Sequence, residues 1–445
     1  MAEYRCPQEW SEWVEWLAAG LHGRCRWRLP ILLTGILFAL GRRTVASWLR
    51  AAGATDDWKA YYYFISGVGR KAESIAARLL RLLLARLPTG PRLVFALDDT
   101  PTKRYGPQVE GAGIHHNPTP GPADSKYVYG HIWVTLALIV RHALWGTIGL
   151  PILAKLYIRA KDIEKLPRYY RWQFQTKLQQ AAELIRWLAN LAAGTGKRLW
   201  IVADGFYAKR PVFKVARALG VVLVSRLRRD AALWTLPPPL KKGQRRGRGQ
   251  PRKYGTERIR LAKRAGQPRG WNRVECVQYG QQVRKKVKTF LATYRPAYGM
   301  IRVVIVQEPT GPQFFLSSDP QVSVEEILEV FADRAAIEQD FHDVKEVWGA
   351  GQQQVRHLWA NIGAWHLNLW MHTLVELWAW NQSKKQICDR RDSPWDDPDR
   401  RPSHADRRKA LRRWMLREEY STTARGWQLP RKIRAVVQKL FNLAG

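Results

Sequence analysis

Through the first 90 residues, apolar positions recur three and four apart, the spacing of a buried helical face. Trp10, Trp13, Val14 and Leu17 trace one such face, and the run from Pro30 to Leu40 predicts a second helix. Gly41 follows, and then a helix opening at Thr44 and carrying Arg50. Helix, short glycine-containing turn and helix together have the form of a helix-turn-helix, with Arg43 and Arg50 as its DNA-facing cations; the same pattern also describes an ordinary helical hairpin. A helix over Lys71 to Leu87 then leads to a boundary at Pro88-Thr89-Gly90.

Beyond that boundary the period changes. Leu93 to Leu97 is a short apolar run ending in Asp98-Asp99-Thr100, and residues 101 to 126, rich in Gly and Pro, read as a long loop. Tyr127 to Val140 and Leu144 to Ile158 predict two long strands in a hairpin. A helix around Trp172 to Ala192, a buried strand from Leu199 to Ala203, a helix from Pro211 to Leu219 and a strand from Val221 to Ser225 follow. A hairpin followed by strand–helix–strand units predicts an α/β fold with a mixed sheet covered by helices. Pro237-Pro238-Pro239 breaks this pattern, and alternating strands follow at Arg273 to Gln278, Val283 to Tyr294, Ile301 to Gln307 and Gln313 to Ser317. Glu325 opens a helical region reaching about Trp380, and beyond Gln386 the tail is charged, with Arg407, Arg408, Arg412 and Arg413 on a short helix. The division expected is therefore a helical DNA-binding part (1–90), a core in two pieces (91–226 and 321–385), a basic β-rich insertion (227–320) and a basic helical tail (386–445).

Charge narrows the partners. The 445 residues carry 74 Lys plus Arg against 37 Asp plus Glu, a formal net charge of +37. Nucleic acid is the first partner such an excess implies and an anionic membrane surface the second. Eleven Lys or Arg and one acid lie between Lys241 and Arg264, with Arg245, Arg246 and Arg248 at the centre. The four cysteines form no C-x-x-C pair, so a zinc or disulfide framework is not expected. Acidic residues near the start exclude a signal peptide, and Arg141 and His142 interrupt the longest apolar stretch. A cytoplasmic protein that contacts no membrane is the expectation.

Three acids stand out. Asp99 and Asp204 each follow an apolar strand, where open α/β sheets bind ligands. On a later helix, Phe331, Arg334, Glu338 and Lys345 share one face, while Asp340 and Asp343 project away from it. Each acid also has an ordinary reading, as a loop cap, a turn or a helix-face salt bridge. Together, three converging carboxylates repel one another, and oxygen-only ligands beside a phosphate substrate call for Mg²⁺, two ions with Mn²⁺ as substitute. Asp98 and Asp99 are close alternatives for the first position. His115 and His116 are loop residues that face solvent, DNA or metal.

These residues resemble the DDE transposases of bacterial insertion sequences, in the branch with a Y-x2-R-x3-E-x6-K signature. Phe331, Arg334, Glu338 and Lys345 match its spacing, Asp204-Gly205-Phe206-Tyr207 matches the motif at the second Asp, and Asp99 precedes Thr100 as the first commonly does. Phe331 stands where the signature has Tyr, which removes a hydroxyl and keeps a ring. The resemblance, over roughly residues 90 to 380, implies an RNase H-like core interrupted by a β-strand insertion, with Asp99, Asp204 and Glu338 as catalytic metal ligands. It further implies phosphate contacts from Arg334 and Lys345, recognition of terminal inverted repeats by the N-terminal helices, and a homodimer on double-stranded DNA that cleaves and joins strands. Two other readings remain beside it: a nuclease of the same core that does not join strands, and a catalytically silent DNA-binding regulator.

Overall fold

The computed structural model describes residues 8–54, 56–117, 125–238, 250, 252–388, 395–397 and 399–423, with Ile433, Val436, Val437 and Leu440. Arg245, Arg246 and Arg248 lie outside the described residues.

The N-terminal helices are α1 (Gln8–Ala18), α2 (Arg28–Phe38), α3 (Val45–Ala51), α4 (Trp58–Arg70) and α5 (Ala72–Arg86). Thr44 caps α3, its hydroxyl accepting the Ser47 N–H, and Val45, Trp48 and Leu49 bury the inner face. The α/β part follows as β1 (Arg92–Lys103), β2 (Gly113–His116), β3 (Tyr127–His142), β4 (Gly146–Tyr157), α6 (Ala160–Ile163), α7 (Lys177–Ala192), β5 (Arg198–Ala203), α8 (Arg210–Ala218) and β6 (Val222–Arg226). Thr176 and Gln179 form a capping box, so α7 begins at Lys177, later than its apolar spacing suggests.

Next come β7 (Leu233–Trp234), β8 (Arg258–Ile259), α9 (Leu261–Gly266), β9 (Asn272–Gln278), β10 (Gln281–Tyr294), β11 (Gly299–Glu308) and β12 (Gly311–Ser317). The chain then turns helical, with α10 (Val324–Asp333), α11 (Ala335–Glu346), α12 (Leu358–Ala379), α13 (Lys384–Ile387) and α14 (His404–Thr423).

Among the described residues the strands form one twelve-stranded, mostly antiparallel sheet, ordered β2-β3-β1-β5-β6-β12-β11-β10-β7-β8, with β4 on β3 and β9 on β10. Strand β1 pairs antiparallel with β3 and parallel with β5, and β5 pairs parallel with β6. This mixed α/β arrangement is consistent with an RNase H-like fold. The β-rich insertion does not stand apart in its backbone pairing: β12 bonds antiparallel to β6 and continues the sheet. Residues 101 to 126 are not wholly loop, because β1 runs on to Lys103 and β2 pairs with β3.

The two faces of the sheet bury different clusters. Phe95, Leu97, Ile201 and Ala203 join the cluster shared with α7, α8 and α12. Ala96, Trp200, Val202 and Val224 pack instead with Ile327, Ile337 and Phe341 of α10 and α11. Helix α12 is buried along almost its whole length. It crosses α4 closely enough that a Cβ on Gly363 would overlap the Ile65 carbonyl oxygen. Among the described residues, no helix is long and apolar enough to cross a membrane. The tail helix α14 packs its start against the rest of the chain, and Arg407, Arg408 and Arg412 are buried there.

Candidate active site

Leu97 of β1 lies opposite Ala203 of β5 in the parallel register. Asp98 and Asp204 therefore leave neighbouring strands side by side, on backbones ~4.8 Å apart. Alternation along β1 sends Asp98 to the face of Ala96, which α10 and α11 cover, and Asp99 to the face of Phe95 and Leu97.

The two adjacent acids consequently meet different partners. Asp98 Oδ2 accepts Arg334 Nη1 at 2.6 Å, and its Oδ1 accepts the Asp99 backbone N–H at 2.8 Å. Burial pushes the Asp98 carboxyl up to about 7 against the pull of Arg334 and that N–H, and the charges of Asp204 and Asp99 push the same way. Asp99 instead accepts Lys177 Nζ at 2.6 Å and the Tyr207 hydroxyl at 2.7 Å. Burial first, and then Asp99, hold the Tyr207 phenol well above its ordinary value. Asp204 Oδ1 accepts the Phe206 N–H at 2.7 Å, and its carbonyl accepts the Ser225 hydroxyl at 2.8 Å, which fixes the turn after β5.

Arg334 joins α10 to α11 in helical conformation, with φ −54° and ψ −30°, so the two helices present one nearly continuous face. Its Nη2 donates to Glu338 Oε1 at 2.6 Å. One guanidinium thus holds Asp98 and Glu338 together. Its side chain is only 14% exposed, while that of Glu338 is 59% exposed. Lys345 Nζ donates to Thr100 Oγ1 at 2.6 Å, and burial lowers its ammonium to about 8. Phe331 packs edge-on against Phe315 with ring centroids 4.9 Å apart, and the Arg334 guanidinium lies 5.5 Å from its ring.

Of the residues singled out by sequence, Phe331, Arg334, Glu338 and Lys345 gather on one side of the sheet, with Asp204 near enough for its charge to act on Asp98 there, whereas the Asp99 side chain turns to the other. Asp98 takes the place beside Arg334. Strand parity carried that signal, because Asp98 alternates with Ala96 and Thr100; it could be read only once the face covered by α11 was known. Of the partners of Asp99, Lys177 had no signature, and Tyr207 stood in the Asp204-Gly205-Phe206-Tyr207 motif with nothing to tie it to Asp99. His115 is buried in β2 instead of facing solvent, and burial, with Arg159 and Lys177, lowers it to about 4. Arg50 is exposed at the end of α3, while Arg43 is half-buried and its backbone N–H donates to Gln352 Oε1 at 2.8 Å.

A family model described as DDE superfamily endonuclease matches residues 17–290, more than half of the chain. The chain belongs to that family. The match starts at the last residues of α1, spans α2 to α5, both Asp98 and Asp99, and Asp204, and it ends before the α10–α11 face. A nuclease- or transposase-type activity is what membership supports. A search of curated proteins returned no match.

Proposed function

We propose that this DDE superfamily member is a DNA transposase that binds terminal inverted repeats, cleaves there and transfers the freed strand into target DNA, with Asp98, Asp204 and Glu338 as its metal-holding acids. The observation carrying this reading is the Arg334 guanidinium gripping Asp98 and Glu338 at 2.6 Å each, with Asp204 near enough for its charge to raise the Asp98 carboxyl. A cation already lies between two acids that come from elements 240 residues apart, as the numbering 98 and 338 gives directly.

The acids suit a hard divalent ion: they supply oxygen ligands, and the Asp98 carboxyl, raised to about 7, is relieved by nearby positive charge. When bound, Mg²⁺ supplies an activated water or 3′-hydroxyl and neutralises charge on the leaving oxygen. In this reading the protein residues do the rest. Arg334, drawn from Asp98 and Glu338 by a phosphate, orients the scissile strand through its bidentate fork. Lys345 holds Thr100 and adds a second phosphate contact. Asp99, engaged by Lys177 and Tyr207, braces β1 from behind. The net charge of +37 supports affinity for the DNA backbone, and Arg50 on α3 with the Arg245, Arg246 and Arg248 segment extends the contact. A homodimer, each subunit acting on one end, follows from the same resemblance.

The test uses a duplex carrying the DNA that flanks the coding region. Mg²⁺-dependent nicking that Asp204→Asn and Glu338→Gln abolish while binding persists supports the reading, as does joining of a pre-cut end to a target plasmid. Cleavage without joining would make the protein a nuclease. Binding with no cleavage in Mg²⁺ or Mn²⁺ would make it a silent regulator.

A further inference from the structure

A basic cavity lies where the end of β1 meets the α2–α3 turn and the linker between α11 and α12. Strand pairing continues one residue past β1, because the Arg104 N–H donates to the Tyr129 carbonyl at 2.9 Å. Arg104 extends the alternating row Asp98, Thr100, Thr102, and the steps from 98 to 104, at ~3.3 Å each, place it about 20 Å along the strand from Asp98. The linker is bonded to both neighbours. Gly351 offers its carbonyl to Arg104 Nη1 at 3.0 Å, and Gln352 Oε1 accepts the Arg43 N–H at 2.8 Å. Ser47 Oγ donates to the Arg42 carbonyl at 2.8 Å and fixes the backbone of the turn. Between these segments lies a cavity of about 320 Å³, with Arg42, Arg104 and Arg356 in its lining and, among the described residues, no Asp or Glu.

Arg104 is only 6% exposed, yet its charge meets neutral groups alone among the described residues. Its Nε donates to His131 Nδ1 at 3.2 Å and its Nη1 to Gly351, while Nη2 has no hydrogen-bond partner among the described residues. Burial, and then the Arg104 charge, lower His131 to about 3, so the imidazole beside Arg104 is neutral. Burial also lowers the Arg104 guanidinium to about 10. Arg42 and Arg356 are exposed and form no ion pair among the described residues. Glu110, just past the lining loop, is engaged elsewhere: its Oε2 accepts the Leu358 N–H at 2.7 Å and the Tyr170 hydroxyl at 2.6 Å.

A buried cation without a counter-charge is costly, and three cations around one cavity repel one another. An anion entering the cavity relieves both costs. The guanidinium fork matches the oxygens of a phosphate and donates to them in pairs.

We propose that Arg42, Arg104 and Arg356 form a pocket for a backbone phosphate of duplex DNA, set between α3 and the acids on the sheet. The inference deepens the transposase reading and rests on it, since the same duplex must run from Asp98, Asp204 and Glu338 to the cavity. At a rise of ~3.4 Å per base pair, a duplex lying along β1 brings that phosphate about six base pairs from the cleaved bond. Such a contact reads no base; it fixes the register of the duplex on the protein. Arg42 leads into α3, so the pocket sets the distance between the DNA held there and the bond that is cut.

The test measures binding of the full chain to the duplex carrying the flanking DNA, over a range of salt and without Mg²⁺, so that no cleavage is needed. Arg42→Gln combined with Arg356→Gln should lower the slope of log affinity against log salt by about 1.8, two contacts at ~0.9 each, at an unchanged melting temperature. Arg104→Met should weaken binding too, and if it fails to fold the exposed pair gives the reading. Arg186→Gln, exposed on α7, should leave the slope as it is. Duplexes each carrying one neutral methylphosphonate linkage locate the contact. A linkage about six base pairs from the cleaved bond should weaken binding of the unaltered chain and make no difference to the double variant. An unchanged slope in the double variant, or an equal loss per residue from Arg186→Gln, overturns the pocket and leaves Arg104 as a brace for the linker; the transposase reading stands in either case. A lowered slope in a protein whose unaltered form never cleaves in Mg²⁺ supports the pocket while the transposase reading falls. No binding of duplex by the unaltered chain overturns both.

Discussion

Arg334 donates to Asp98 at 2.6 Å across 236 residues of chain, and this contact sets which acid of the Asp98-Asp99 pair faces the Glu338 helix. Substituting each acid separately tests the consequence. Asp98→Asn should lower Mg²⁺-dependent nicking by roughly 10²-fold or more, the scale expected when a group acting directly in the chemistry is lost. Asp99→Asn should cost less activity and show mainly as a lower melting temperature, because it strips Lys177 and Tyr207 of their shared partner. Equal activity losses, or a larger loss from Asp99→Asn, would return Asp99 to the centre of the site.

The raised Asp98 carboxyl has a signature in stability. Its folded value of about 7 lies above the ~3.9 of an unfolded Asp. Between those values the folded chain holds a proton that the unfolded chain has released, so this group lowers stability as pH climbs through the window, and the effect levels off above about 7. Metal-free Asp98→Asn should therefore gain melting temperature relative to the unaltered protein between pH 5 and pH 8. Added Mg²⁺ should raise the melting temperature of the unaltered protein and leave the variant unmoved.

Lys345 titrates in the opposite sense. Burial lowers its folded value to about 8, below the ~10.4 of an unfolded Lys, so stability from this group rises as pH climbs from about 8 towards 10.4. Lys345→Met should flatten that rise. On DNA at pH 7, the same change should reduce the slope of log affinity against log salt by about 0.9, the loss of one phosphate contact. At pH 9 the difference should shrink, because much of the Lys345 ammonium is then already neutral. An identical slope for both proteins at pH 7 would remove Lys345 from the interface.

Arg245, Arg246 and Arg248 sit in a stretch with eleven Lys or Arg and one acid between Lys241 and Arg264. Replacing all three with Gln should weaken DNA binding and lower the salt slope by as much as ~2.7, while the melting temperature holds. Unchanged affinity and slope would make the segment a solvated loop.

By itself, the order of apolar and polar positions determined most of the elements. The hairpin β3–β4, the strand–helix–strand run to β6, the strands β9 to β12 and the helices carrying Arg334 and Glu338 are local patterns of period 2 or 3.6. Asp204 and Glu338 could be picked out for the same reason: one ends a strand and the other has a helix phase. Tertiary structure alone decided which of Asp98 and Asp99 faces Arg334. Both alternate correctly along β1, and only the packing of α10 and α11 on the Ala96 face makes one of them inward to Arg334. The joining of the basic strands to the core sheet through β12 and β6 was equally hidden, since antiparallel pairing leaves no mark on either strand. So was the burial of Arg407 and Arg408, whose partners Glu376 and the carbonyl oxygens of Leu37 and Ala39 come from distant parts of the chain. Sequence carries spacing within an element; which faces meet is fixed by the packing of elements far apart in the chain.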